Sequence, residues 1–461
     1  MAILESISKV LESKEVSYTE QAIESNLTIV ELARQLGAES SRLLRAVPMK
    51  TGEGPVVAVL PFDSLLDVTE FEKLIQQQFE NMSEADRDKL FKGCKAGYEP
   101  TFPEVYDCRL IVDKSIFELP HALIHSGAEA LLHLDPENLL KLFAEIDRGE
   151  FSVPSERLYS GRNVECKEKD LDTSFTPIRL KQRVDETFDL PAMPEIAQDI
   201  MKLRVDPSAD AHKLAEIVCR DPSLAAQVIS WASSPYYGYQ GKVDSVETAI
   251  ARVLGFELVM NLALGISIGK SLKVPAEGPL GIRQFWKQAI YSANLSEKLC
   301  RAMPIKQRPE RGLIYLSGLL HNFGHLLLGH IFRPQFEIVN RTIEANPHLS
   351  IEDIEFYTLG VTHEEIGAWL MHNWHMPDEL IVAVRRHHQE EFWSKHAVYS
   401  NIVLVANRLL KRIGIGDAVE TVVPQSTLDL LSLDLETVEQ NLGEIEAESD
   451  TLNSMAKQLV A

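Results

Sequence analysis

CRDPSLAAQVISWASSPYYGYQGKVDSVETAIARVLG, Cys219 to Gly255, decides the fold of the second half of this chain. Pro222 follows Asp221, where a proline can open the first turn of a helix. The apolar residues beyond recur at helical spacing until SSPYYG breaks the pattern. Ser245 then begins SVETAIARVLG, with Glu247 one residue short of a capping box, and Gly255 closes it. No strand-like alternation interrupts this pattern from Leu190 onward, so the periodicity predicts an all-α domain.

Toward the N-terminus the pattern changes twice. Residues 151–189, including VPSERLYSGRNVECKEKDLDTSFTPIRLKQRVDETFD, are charged and turn-rich with little periodicity, the mark of an exposed linker. Before them, GPVVAVLPF (Gly54 to Phe62) and YDCRLIVD (Tyr106 to Asp113) read as strands. TIVELARQLG and PENLLKLFAEI read as helices, the first ending at Gly37 as a C-cap would. Residues 1–150 are therefore expected to form a mixed α/β domain, opening on the amphipathic helix pattern MAILESISKVLESKEV rather than on a signal peptide. The all-α domain is assigned to 190–410, and 411–461 to an acidic amphipathic tail, a solvated flank or partner contact.

The charge balance limits the partners. With 46 Lys and Arg against 68 Asp and Glu, the formal net charge of -22 repels phosphate backbones and acidic membrane surfaces, so any contact with nucleic acid has to be local, as at KQRPER (Lys306 to Arg311). Five scattered cysteines without a CxxC suit reduced thiols. The longest apolar run, LVMNLALGISIG (Leu258 to Gly269), is too short to span a bilayer and contains Asn261. A cytoplasmic protein without a membrane partner is expected.

DLPAMPEIAQDIMKL supplies an LPxxP pattern at Leu190, Pro191 and Pro194; with Asp221-Pro222, SPYYG and SVETAIARVLG in order after it, the second half resembles the HDOD family of bacterial signalling proteins. The resemblance implies an all-helical relative of the HD phosphohydrolases and HD-GYP phosphodiesterases that usually lacks their activity. Their first metal-binding His falls here at Gln288, and their His-Asp pair at His321-Asn322, inside GLLHNFGHLLLGHIF. A Lys common in HD proteins appears as His325, later histidines match His363, His387 and His388, and a closing Asp is replaced by Asn407. On this reading four histidines remain and the carboxylates are lost. Phosphodiester hydrolysis needs metal to generate hydroxide and neutralise the leaving oxygen, and neutral ligands do not hold two mutually repelling cations. Glu364 and Glu365 follow His363, but adjacent helical positions point about 100° apart, so at most one faces the site. The cluster is read as inherited packing residues, with room for a single divalent ion on His321, Asn322, His363, His387 and His388, and no other cofactor.

LLRAVPMK (Leu43 to Lys50), VVAVLPFDSLLD (Val56 to Asp67) and KAGYEPTFPEVYDCRLIVDKSI (Lys95 to Ile116) make the first half resemble the YbaK/prolyl-tRNA-editing family of aminoacyl-tRNA deacylases. The resemblance implies a Lys beside the aminoacyl ester and a Gly-rich loop ending in Pro. Here Arg45 stands at the Lys position, and the loop reads Ala96-Gly97-Tyr98-Glu99-Pro100. Arg keeps the charge but is bulkier and forked, while Tyr98 and Glu99 add bulk where backbone approach was wanted. A plainer reading makes Arg45 an exposed strand residue paired with an acidic neighbour. The combined expectation is a non-catalytic signal-transduction protein, in which a degenerate editing-type pocket for aminoacyl-tRNA or an amino-acid-like ligand is coupled to an HDOD platform that engages a regulatory protein. Aminoacyl-tRNA deacylase and metal-dependent phosphohydrolase are the enzymatic alternatives.

Overall fold

A computed structural model describes residues 5–24, 27–91, 101–102, 108–126, 130–159, 191–234 and 237–460. Leu190, Gly97, Pro100 and the linker positions 160–189 lie outside these residues. The chain forms two compact units, one comprising residues 1–167 with 338–349, the other 168–337 with 350–461.

The first unit is the mixed α/β domain that its sequence pattern predicts. Its strands are β1 (Thr19–Ala22), β2 (Leu44–Thr51), β3 (Gly54–Pro61), β4 (Ser64–Leu66), β5 (Phe79–Asn81), β6 (Arg109–Asp113), β7 (Ala122–His125), β8 (Ala130–Leu134), β9 (Asp147–Gly149) and β10 (Ser152–Pro154). The main sheet runs β5-β2-β3-β6-β9, a second runs β1-β8-β7, and β4 pairs with β10. β2 and β3 are antiparallel, with Arg45 opposite Leu60, whereas β3–β6 and β6–β9 are parallel. β3 and β6 read as nearly continuous apolar runs because both faces are covered: Val57, Val59 and Val112 belong to one core, Ala58, Leu60 and Ile111 to another. The helix Ile29–Leu36 starts at Thr28, whose side chain accepts from the Glu31 amide while Glu31 reaches back to the Thr28 N–H.

The folded chain runs past the expected boundary at 151. Phe151 is 2% exposed and packs edge-on against Phe71, and β10 and the helix Ser155–Tyr159 follow it. The reason is hydrogen bonding that no local pattern announces: Asp113 at the end of β6 accepts the N–H groups of Phe151 and Ser152 at 2.7 and 2.8 Å.

Every element described in the second unit is helical. Pro222 opens the helix Pro222–Ala232 as its sequence implies, and Asp221 caps it by accepting from Ser223 and Leu224. Ser245 caps SVETAIARVLG, but only Val246–Thr248 is α-helical before Ala249–Leu254 widens into a π turn. The long helix Ile282–Ala302 lies at the centre, packed by Arg311–Leu320, Ala397–Arg412, Leu435–Ala447 and Ser449–Val460. No described helix is long and apolar enough to cross a membrane.

The segment 411–461 is not a solvated flank. Its helices bury Leu428, Leu431, Val438, Ile445, Leu452 and Leu459, and Gln458 accepts from the Trp231 indole N–H at 2.9 Å. Charged positions face water while this stripe faces the bundle, so an acidic composition conceals an integral wall of the core. Leu452→Ala, at a fully buried site, is expected to cost about 2–5 kcal/mol. Denaturant unfolding followed by tryptophan fluorescence measures it, and a cost below about 1 kcal/mol would return this segment to the periphery.

Candidate functional site

A buried polar cluster forms in the second unit where four helices bring their ends together. The helix Arg311–Leu320 stops at His321, Asn322 follows, and Phe323–Ile331 resumes. Gly324, at the start of this second piece, lets the backbone of His363 come close: a Cβ there would lie 1.9 Å from the His363 carbonyl oxygen. His363 opens the helix His363–Asn373, and His387 and His388 end Asp378–Arg386. His321, Asn322, His363 and His387 are each at most 3% exposed. The five sequence-derived residues thus meet in one place.

Gln288, Asn322 and Asn407 bring no carboxylate, but acidic residues from other positions enter the cluster. Asp417, 6% exposed, accepts from Gln288 at 2.9 Å, Asn322 at 2.7 Å and Asn407 at 3.0 Å. The three amides therefore converge their N–H groups on one anion. His388 Nε2 lies 3.4 Å from Asp417 and its Nδ1 3.6 Å from Glu352. Burial disfavours the imidazolium of His388, but Glu352 and Asp417 outweigh it and push His388 up to about 10; the same cation holds Asp417 well below the usual carboxylate range against its burial. Glu355 binds His363 Nδ1 at 2.7 Å and His325 Nε2 at 2.9 Å. Glu364 is buried near His388 while Glu365 turns to Arg385 at 2.9 Å, so one of the adjacent pair faces inward, as helical spacing requires.

A sequence signal for Asp417 exists in Gly414-Ile415-Gly416-Asp417. Gly416 has φ +103°, a backbone conformation costly for any residue with a Cβ, and that turn directs the next side chain back toward Asn407 and Gln288.

The donor atoms fit one cation. His321 Nδ1 is bound to the Gly318 carbonyl, His363 Nδ1 to Glu355 and His387 Nδ1 to the Val384 carbonyl, at 2.7, 2.7 and 2.9 Å. Each contact places a proton on Nδ1, the arrangement that orients metal-binding histidines, while the Gln288 amide lies 3.5 Å from His321 Nε2 and Glu355 raises the pKa of His363 against its burial. His387 Nε2 then lies 3.3 Å from His363 Nε2 and 3.1 Å from Asn322 Oδ1, so three ligand atoms of the cluster face one another. A tetrahedral zinc ion, with nitrogen at about 2.0–2.1 Å, separates its ligands by about 3.3–3.4 Å. One ligand atom from each of His363, His387, His388 and Asp417 lies within 4.8 Å of the others, and His325, Glu355 and His363 form a second such group. Burial holds His321 down at about 4 and His387 well below its ordinary value, keeping both as neutral donors. Among the described residues a cavity of about 100 Å³ adjoins the cluster, lined by Glu352, His387, His388, Asn407 and Arg408.

In the first unit, Arg45 is 6% exposed rather than an exposed strand residue. Its guanidinium donates to the carbonyls of Ala345 at 2.9 Å and Ser64 at 3.0 Å and to Asn346 Oδ1 at 2.6 Å. Loss of hydration lowers it to about 9, with Asp63 opposing the shift. Pro191 and Pro194 precede the helix Glu195–Arg204; the Pro191 carbonyl accepts from the Trp374 indole at 3.1 Å, so this signature has a packing role.

The family model described as HDOD domain matches residues 190–390, and that described as aminoacyl-tRNA editing domain matches residues 24–142. A crystal structure from Marinobacter aquaeolei VT8, of a protein named for a provisional role in signal transduction, is 32% identical with a TM-score of 0.79, covering 100% of both chains. An HDOD domain protein of unknown function from Geobacter sulfurreducens is 20% identical with a TM-score of 0.51, over 60% of this chain and 96% of that one, a likeness of fold. A curated protein of Treponema pallidum (strain Nichols), described as uncharacterized, is 24% identical over 343 residues, 71% of this chain and 64% of its own length. Full-length similarity to the Marinobacter protein, together with the two matched domains, places this chain in the HDOD family, with an aminoacyl-tRNA editing domain preceding its HDOD domain.

Proposed function

We propose that this chain is a non-catalytic regulatory protein, in which the editing-type domain binds an amino-acid-like ligand or the aminoacyl end of a tRNA without cleaving it, and the HDOD domain engages a regulatory protein. The observation that carries this reading is the enclosure of the cluster. His363 and His387 are fully buried beside a cavity of about 100 Å³, whereas ligand sites commonly occupy about 300–1,000 Å³. That cavity is small for a phosphodiester, and metal-assisted hydrolysis requires the bound oxygen to meet the substrate in line. Similarity to a protein named for signal transduction supports the regulatory role. The facing histidine nitrogens and Asp417 support a single divalent ion with a structural or regulatory part.

The editing-type domain supports the same conclusion. Arg45 already spends three hydrogen bonds on protein acceptors, leaving it poorly placed to polarise a bound ester. Incubation with a cyclic dinucleotide and Mn²⁺ is expected to give no linear product above background, and a mischarged tRNA no faster deacylation than in buffer. Metal-dependent turnover lost on His363→Ala, or deacylation lost on Arg45→Ala, would establish the corresponding enzyme and end the non-catalytic reading.

A further inference from the structure

Residues 338–349 belong to the first unit although they lie far along the chain from its strands. Asn346 is fully buried and makes the bonds of a neighbouring strand: Oδ1 accepts the Leu66 N–H at 2.7 Å, and Nδ2 donates to the Leu66 carbonyl at 3.1 Å. The same Oδ1 and the Ala345 carbonyl take the Arg45 guanidinium. The His348 ring lies 4.7 Å from that of Phe62, and the Ala345 side chain enters the core formed by Val47, Ala58 and Leu60. Two buried polar atoms stay unpaired, Arg45 Nε and His348 Nε2. A strut evolved only for stability would be expected to satisfy them, since an unpaired buried polar group costs about 1–3 kcal/mol.

We propose that residues 345–348 are a built-in ligand of the editing-type domain. The Ala345 carbonyl and the Asn346 carboxamide stand beside Arg45 in place of an external amino-acid-like carbonyl compound, and such a compound binds only by displacing them. The proposal rests on the reading of this domain as a ligand-binding pocket. Guanidinium geometry suits the exchange, because the planar fork that now holds the Ala345 carbonyl and the Asn346 carboxamide oxygen beside the Ser64 carbonyl would hold the carbonyl of an amino acid amide equally well. The unpaired Arg45 Nε would give the incoming ligand a bond that the internal segment does not make. The helix Arg333–Ala345 is continuous from residues of the second unit into this segment, so release of its end has a covalent route to the HDOD domain.

Titration calorimetry on the full-length chain tests this, with a non-hydrolysable alanyl-adenosine amide as probe. Asn346→Ala removes the carboxamide, and His348→Ala loosens the segment without stranding a buried donor, should the first variant fold poorly. Affinity in either variant is expected to exceed that of the native chain by about tenfold or more, equivalent to about 1.4 kcal/mol. Hydrogen exchange at the Leu66 amide, protected by Asn346 in the native chain, should accelerate when the probe is added. Equal affinity in native and variant chains, with Leu66 protection unchanged, overturns the built-in ligand while leaving the pocket standing. Absence of binding in every chain overturns both.

Discussion

Replacing Asp417 with alanine should lower the melting temperature of the HDOD unit by roughly 10 °C. Gln288, Asn322 and Asn407 would keep buried N–H groups without an acceptor, and His388 would lose one of the carboxylates that hold its charge, keeping Glu352 and Glu364. Removing one partner of a buried ion pair costs about 3–5 kcal/mol because the remaining charge stays desolvated. A domain of 150–250 residues loses about 2–4 °C per kcal/mol, which sets the scale of the shift. Asp417→Asn keeps the volume and removes the charge, so a comparable loss there assigns the effect to electrostatics. The exposed Asp429→Ala serves as the surface control, expected within about 0.5 kcal/mol of the native chain. If Asp417→Ala melts with the control, Asp417 is not the anion that organises the cluster.

Zn²⁺ added to EDTA-treated protein should raise the same transition by several degrees. A ligand bound only to the folded state contributes about 2.7 kcal/mol at a hundredfold excess over its Kd. His387→Ala removes a nitrogen 3.3 Å from His363 Nε2 and 3.1 Å from Asn322 Oδ1, and should abolish the response. Asn322→Asp gives the complementary result. Without metal, a second carboxylate replaces an amide that donates to Asp417 at 2.7 Å, and about 1–3 kcal/mol should be lost. With metal the new carboxylate becomes a ligand, so this variant should gain more than the native chain. A native melting temperature that stays flat across the titration would mean that a proton on His363 holds the facing nitrogens together and that the cluster is a satisfied polar core.

The carboxylates show where reading the chain stops. Gln288, Asn322 and Asn407 draw attention only through the resemblance to HD-type sequences, which implies His or Asp at those places. Asp417 could not be found in that way, since it lies ten residues beyond Asn407, past a helix end, and enters the cluster through the turn at Gly416. Glu355 likewise reaches His363 and His325 from the helix Ile351–Leu359, eight and thirty positions away in sequence. Arg45 was legible as a residue of β2, yet its burial depends on Ala345 and Asn346, some three hundred residues later.

By itself the sequence determined what is periodic or local: the strands β3 and β6, the helix boundaries at Gly37, Pro222 and Ser245, the all-α second half, and the histidines as a group. These follow from side-chain alternation and from bonds between residues three or four apart, which neighbouring letters specify. The tertiary structure alone decided which anion neutralises the cluster, that the acidic C-terminal helices close the core, and that Arg45 faces a segment of its own chain. Desolvation is the physical reason. A buried charge or amide must find a partner wherever the fold supplies one, and that partner is chosen by distance in space, which the order of residues does not record.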